Sequence, residues 1–202
     1  MNRRTFLYAL PALSATVALW PGLANAQDVE FIRAWERAQR EKPAVVKSRA
    51  RIAPADEPGI PLIIRGRIFR SDGRTPAPDI TVFAYHTDRN GLYDERSKGP
   101  HSWRLRGWAK SDASGRFDFD TIRPAPYPGR GIAAHVHLSI EGPGVPRRWT
   151  ADVLFSDDEL VTAAQREESA REGMFGGVRT VRAHDGVQEV DVNLKITNTG
   201  LF

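Results

Sequence analysis

The chain has 202 residues, 41% of them hydrophobic, with 29 Lys+Arg against 25 Asp+Glu and no cysteine. That length and apolar share suit one cored domain with an extension. The missing thiols exclude disulfides, Cys-ligated zinc, iron–sulfur clusters and thiol nucleophiles, so any metal must use nitrogen and oxygen ligands, and basic residues scattered among acids, with no basic stripe, exclude a nucleic-acid partner.

The first residues, MNRRTFLYALPALSATVALWPGLANAQ, have the form of an export signal. Arg3 and Arg4 give the positive start, Phe6 to Trp20 the apolar stretch, and ANA before Gln27 the small-x-small cleavage pattern. The run is too short and too broken by Pro11, Ser14 and Thr16 to span a membrane. NRRTFL resembles the twin-arginine signal, used by proteins exported already folded, so residues 1–26 are expected to be removed and the remainder to be periplasmic or extracellular.

Residues 27–61 are expected to form a helical arm followed by a Pro-rich linker. Phe31, Ile32, Trp35 and Ala38 recur at helical spacing and Pro43 stops the run. The apolar face of this arm fits packing on its own domain or bridging to a second copy, which leaves a homo-oligomer open. The domain proper is expected over 62–202. There LIIRGRIFR, ITVFAYHT, RLRGWAKSD, RFDFDTI, AAHVHLSIEG, TADVLFSDD and QEVDVNLKI read as strands. Asp72-Gly73, Asn90-Gly91 and Ser114-Gly115 supply turns that predict antiparallel connections. A helix is expected from Asp157 to about Glu172, with Ser156 as N-cap. In the last strand Val190, Val192, Leu194 and Ile196 alternate with polar residues, so one face is buried and one is wet. The predicted fold is all-β: an antiparallel two-sheet sandwich with a short helix in a late loop and a helical arm in front.

Two histidines interrupt one of these strands. Alternation puts His135 and His137 on one face and Ala134, Val136 and Leu138 on the other, with the imidazoles roughly 6.6 Å apart at the backbone, close enough to converge on one ion. Two tyrosines stand out by their setting: Tyr93 after the turn DRNGLY, and Tyr127 in TIRPAPYPGR, where flanking prolines stiffen the chain. His86, His101 and His184 read as structural or surface residues, Trp103 and Trp108 as core, and Arg104 and Arg106 as a solvated strand face.

The segments GRIFRSDGRTPAPDITVFAYHTDRNGLY, RLRGWAKSDASGRFDFDTIRPAPYPGR and AHVHLSIEGPG, in that order from about Leu62 to Asp158, resemble the successive motifs of the intradiol ring-cleavage dioxygenases. The resemblance implies a β-sandwich holding one non-haem Fe(III) on Tyr93, Tyr127, His135 and His137. It further implies that a catechol-type small molecule binds as a chelating dianion and displaces Tyr127, which acts as base, and that O2 then opens the ring to a muconate-type diacid. The residue types agree: ferric iron is a hard acid and phenolate a hard donor. The sequence departs from the family twice. An arginine expected three residues before the first histidine is Ile132 here, leaving Arg130 as the nearest candidate for its role, and Asp152 stands about where the family has a glutamine. Two rivals follow from these departures, a non-catalytic binding module of the same fold and a metalloenzyme for another phenolic substrate.

Overall fold

Strand alternation and the turns between strands assemble this chain into two packed sheets. The computed structural model describes residues 29–93 and 103–197; the expected export signal and His101 lie outside the described residues. In chain order these form α1 (Val29–Arg40), β1 (Arg49–Arg51), β2 (Pro61–Phe69), β3 (Thr81–His86), β4 (Arg106–Lys110), β5 (Arg116–Ile122), β6 (His135–Gly142), β7 (Val145–Trp149), β8 (Val153–Phe155), α2 (Ala163–Glu172), β9 (Val178–Arg179), β10 (Arg182–His184) and β11 (Val187–Lys195). One sheet runs β1-β5-β2-β11-β10; the other runs β4-β3-β6-β8-β9, with β7 also beside β6. Among the described residues no helix is long and apolar enough to cross a membrane.

The sandwich is as expected, but the sheets are mixed: β1 lies parallel to β5, β11 to β2 and β8 to β9. The turns at Asp72-Gly73 and Ser114-Gly115 carry the chain from one sheet to the other instead of joining neighbours, since β2 and β5 are in one sheet and β3 and β4 in the other. Turn residues dictate a reversal of direction; burial of both apolar faces decides which sheet the next strand joins. The tight hairpin at Asp185-Gly186, both at positive φ, connects β10 to β11. The late helix begins at Ala163, not near Asp157, because Thr162 caps it: Gln165 N–H donates to Thr162 Oγ1 and Thr162 N–H donates back to Gln165 Oε1, a reciprocal box. Asp158 is committed elsewhere, accepting from Leu160 N and Ala134 N.

Between the sheets lie Leu62, Ile64 and Ile68 of β2, Val82 and Ala84 of β3, Phe117 and Phe119 of β5, Val136, Leu138 and Ile140 of β6, and Val190, Val192 and Leu194 of β11, all buried. The alternate residues of β3 face the other way. Phe83 and Tyr85 join Trp35, Ala38, Trp103 and Trp108 in a second, aromatic cluster. Trp35 of α1 is its anchor, 4.8 Å from Phe83 and 5.0 Å from Trp149 between ring centroids, in edge contacts. The second sheet is therefore covered on both faces, by the first sheet and by the arm. Trp103 and Trp108 pack as core, while Arg104 pairs with both carboxylate oxygens of Glu57 and Arg106 reaches Glu41 and the Trp103 carbonyl.

His86 ties the two sheets together at one end of the sandwich. Fully buried, it donates Nδ1–H to Thr87 O at 2.6 Å and accepts at Nε2 from Thr121 Oγ1 of β5 at 2.6 Å. His184 is exposed on β10. Burial drives the His86 pKa down to about 4, whereas the unfolded chain titrates near ~6.5. The unfolded state then binds the extra proton between those values, so stability falls as pH drops from ~6.5 to ~4, by about 3 kcal/mol from this residue. Urea denaturation at pH 7 and pH 4.5 should show that loss in the native chain, and His86→Gln should flatten the slope.

Candidate metal centre

The register of β3 against β6 pairs Tyr85 with His137 and His86 with Val136. Because Val136 and Leu138 are drawn into the core, His135 and His137 must project from the opposite face, the one that carries the aromatic cluster. Tyr85 stacks on His137 with centroids 4.6 Å apart and planes at 27°. The start of β6 is pinned by Asp158, whose Oδ2 accepts from Ala134 N at 2.8 Å.

Two loops bring the tyrosines over this face. After β3, the buried Asp88 accepts from Asn90 N and Leu92 N at 2.8 and 3.0 Å and forms the turn that presents Tyr93. The same segment holds the Tyr127 loop: Thr87 Oγ1 donates to Ala125 O at 2.7 Å, and Ala125 N donates to Asp88 O at 3.0 Å. At Gly91, with φ +78°, an added Cβ would lie 2.0 Å from Pro126 O. The loops touch there through backbone, and glycine supplies both the conformation and the space.

Four donor atoms meet as a result. His135 Nε2 and His137 Nε2 are 3.0 Å apart; Tyr127 Oη lies 3.2 and 3.4 Å from them, Tyr93 Oη is 3.2 Å from His137 Nε2, and the two phenolic oxygens are in hydrogen-bond contact. The imidazole protons are committed on the far side. His135 Nδ1 donates to Ala133 O at 2.7 Å and His137 Nδ1 to Asp152 Oδ1 at 2.8 Å. A carbonyl and a carboxylate can only accept, so both neutral rings turn Nε2 lone pairs into one small space. Two facing lone pairs at 3.0 Å repel unless protons or a cation lie between them. Phenolic protons can serve, and a cation with a taste for nitrogen and oxygen would serve better.

The electrostatics fit. Burial pushes the Tyr93 phenol far above the usual tyrosine range and raises Tyr127 as well, the latter partly offset by the hydrogen bond from Tyr93 and by the charge of Arg130. Burial lowers the His135 pKa and keeps that ring neutral. Desolvation opposes ionisation of Asp152, but its electrostatic interaction and hydrogen bond with His137 outweigh it and hold the carboxyl below its ordinary value. Ligand atoms of His135, His137 and Asp152 lie within 4.8 Å of one another and could hold a metal as a trio. The Asp152 oxygen sits on Nδ1, however, away from the point where the other four donors converge, so it orients a ring more naturally than it ligates.

The structure thus gathers Tyr93, Tyr127, His135 and His137. It leaves Arg130 on an exposed loop, its backbone N–H on Tyr127 O at 3.3 Å and its guanidinium acting on the Tyr127 phenol through charge alone. Ile132, at the position three residues before His135, is 44% exposed. Sequence reasoning did not assign Tyr85, Asp88 and Asp158 to the site. The Asp of DRNG carried a turn signal; the other two act through contacts between strands distant in sequence.

A family model described as Dioxygenase matches residues 38–198. Catechol 1,2-dioxygenase 2 of Acinetobacter lwoffii is 28% identical over 152 residues, covering 61% of this chain and 55% of its own; catechol 1,2-dioxygenase 1 of the same organism is 26% identical over 176 residues, covering 75% and 55%. The chain spans about half the length of the curated relatives it matches. Among solved structures, catechol 1,2-dioxygenase from Acinetobacter sp. ADP1 superposes with a TM-score of 0.58 at 22% identity over 87% of this chain and 74% of that one. The dioxygenase domain of a dioxygenase carbohydrate-binding protein fusion from Streptomyces sp. SirexAA-E gives 0.57 at 21% identity over 79% and 92%. At those identities the structures share the fold.

The loop contact at Gly91 yields a controlled comparison. Gly129 has a similar φ of +71° but open space around it. Gly129→Ala should therefore cost only the left-handed strain of ~1–2 kcal/mol, whereas Gly91→Ala should cost distinctly more and separate the two tyrosine loops, as read from denaturant midpoints of both variants.

Proposed function

Because the chain belongs to the dioxygenase family, in its intradiol ring-cleaving branch, we propose that it is a non-haem Fe(III)-dependent enzyme. It opens a catechol-type ring between the two hydroxyls with O2 and gives a muconate-type diacid that retains both oxygen atoms. The observation that carries this reading is the convergence of two phenols and two Nε2 lone pairs, with both Nδ1 protons already committed outside the cluster. Two hard anionic oxygens favour a trivalent ion, and two neutral nitrogens complete the set.

Bound iron would supply Lewis acidity and a template for the two catechol oxygens. The chain's own residues do the rest. Tyr93 is held by the Asp88 turn and His137 by the Tyr85 stack, so these stay in place. Tyr127 lies on the loop whose following residues, Pro128 to Ile132, are all exposed, and it is the ligand free to swing out. With the metal bound, Tyr127 Oη would take one of the two catechol protons on leaving, the other passing to solvent, and the nearby charge of Arg130 would ease its return to the anion.

Ile132 favours a second reading, turnover of a different phenol or no turnover, since an aliphatic side chain cannot stabilise an electron-rich substrate as a guanidinium does. The export signal belongs to the same proposal: a protein folded before export can carry a metal loaded inside the cell. Mass spectrometry of the secreted protein should then give an N-terminus at Gln27.

Purified protein should be coloured by a tyrosinate-to-Fe(III) charge-transfer band at about one iron per chain, and Tyr93→Phe and His135→Ala should each lose it. Affinity should fall by more than the ~10–100-fold typical of changes outside the ligand set. Loading the metal-free protein at neutral pH should release about two protons, from the two phenols, measurable by calorimetry in buffers of different ionisation enthalpy. Oxygen uptake across a panel of catechols decides turnover: a fully loaded protein that consumes none with any catechol would favour the binding module.

A further inference from the structure

We propose that Asp152 is a positioning residue, which locks His137 in the tautomer protonated at Nδ1 and places a carboxylate charge one imidazole away from the metal. The inference rests on the metal-site reading above.

The pairing is set by backbone register. Val136 pairs with Val153 and His135 with Leu154 across β6 and β8, so Asp152, one residue before β8, falls opposite His137. Residues opposed in this way project from the same face of a sheet. The next strand fixes the segment further: Leu154 N donates to Gly177 O, and an added Cβ at Gly177 would lie 2.9 Å from Asp152 O. Asp152 Oδ1 meets His137 Nδ1 at 2.8 Å, so this is a built contact and not a chance pairing of mobile surface side chains. The Asp152 side chain is 42% exposed against 22% for His137.

The two histidines are consequently unequal. His135 donates to the neutral Ala133 carbonyl and His137 to an anion. A carboxylate behind an imidazole raises its donor strength and fixes the ring so that Nε2 alone is offered to the metal. Two phenolates leave one positive charge on a trivalent ion, and the Asp152 carboxylate balances it nearby. That balance resists reduction to the divalent state.

The test begins with metal-free protein labelled with nitrogen-15 at histidine. Long-range proton–nitrogen correlation should find His137 protonated at Nδ1 in the native chain, and shifted toward Nε2 in Asp152→Ala. Asp152→Asn should keep the Nδ1 tautomer, since the amide oxygen still accepts, while removing the charge. In iron-loaded protein, Asp152→Asn should move the tyrosinate band to longer wavelength and raise the reduction potential, and Asp152→Ala should in addition weaken iron binding about 10–100-fold. The proposal is overturned if His137 in the native chain carries its proton on Nε2, if Asp152→Ala leaves the tautomer unchanged, or if Asp152→Asn keeps the native band and potential. A native chain that refuses iron would sink the dioxygenase reading and the metal half of this one, while the tautomer measurement still decides the positioning role.

Discussion

The two-sided burial of β6 is the constraint on which the rest of this structure depends. Its Val136, Leu138 and Ile140 are held between the sheets by the hydrophobic effect, and a slip of one residue would drive the two imidazoles into that core. Burying polar rings without partners is costly. The apolar side of the strand therefore aims the polar side, and the candidate centre inherits its rigidity from a core with which it shares no side chain. The arm completes the arrangement. Trp35 closes the outer face through Phe83 and Trp149, and the stack of Tyr85 on His137 joins this aromatic layer to the centre.

Opposed to that rigid floor are two loops whose positions depend on each other. Thr87, Asp88 and Ala125 exchange hydrogen bonds, and Gly91 lets the backbones meet. Neither loop would fix a tyrosine alone at the precision a metal site needs. Laced together, they deliver both phenols to the same point above the imidazoles. Burial disfavours ionisation of both phenols, so that only a cation of high charge would displace their protons.

Charge elsewhere serves a different end. On the outer face of the first sheet Arg49 pairs with Asp120, Arg65 with Glu189 and Arg182 with Asp191. Basic and acidic strands alternate across β1, β5, β2, β11 and β10. Such exposed pairs add little stability, but a parallel β1 and β11 meet opposite charge where they dock. Charge on this face supports topology, whereas at the centre the carboxylate of Asp152 holds His137.

Some of this was written in local sequence. Alternation in QEVDVNLKI and AHVHLSIEG fixed which side chains face the core, because period-two patterns need no knowledge of partners. The HVH, NGLY and PYP motifs together pointed to the four converging donors, and the Thr162 to Gln165 box and the Asp185-Gly186 turn were legible although the helix start and that hairpin were not drawn from them. What tertiary structure alone decided were the parallel pairings, the passage of the Asp72-Gly73 and Ser114-Gly115 turns between sheets, and the partners that finish the site. Asp88, Asp158, Tyr85 and the hold of Asp152 on His137 all act across pairings between strands or loops that turn chemistry and hydrophobic period leave unspecified. The sequence by itself determined which residues could bind a metal, since donor chemistry belongs to the side chain; only the fold decided which lone pairs face each other, since direction comes from register and from loops that brace one another.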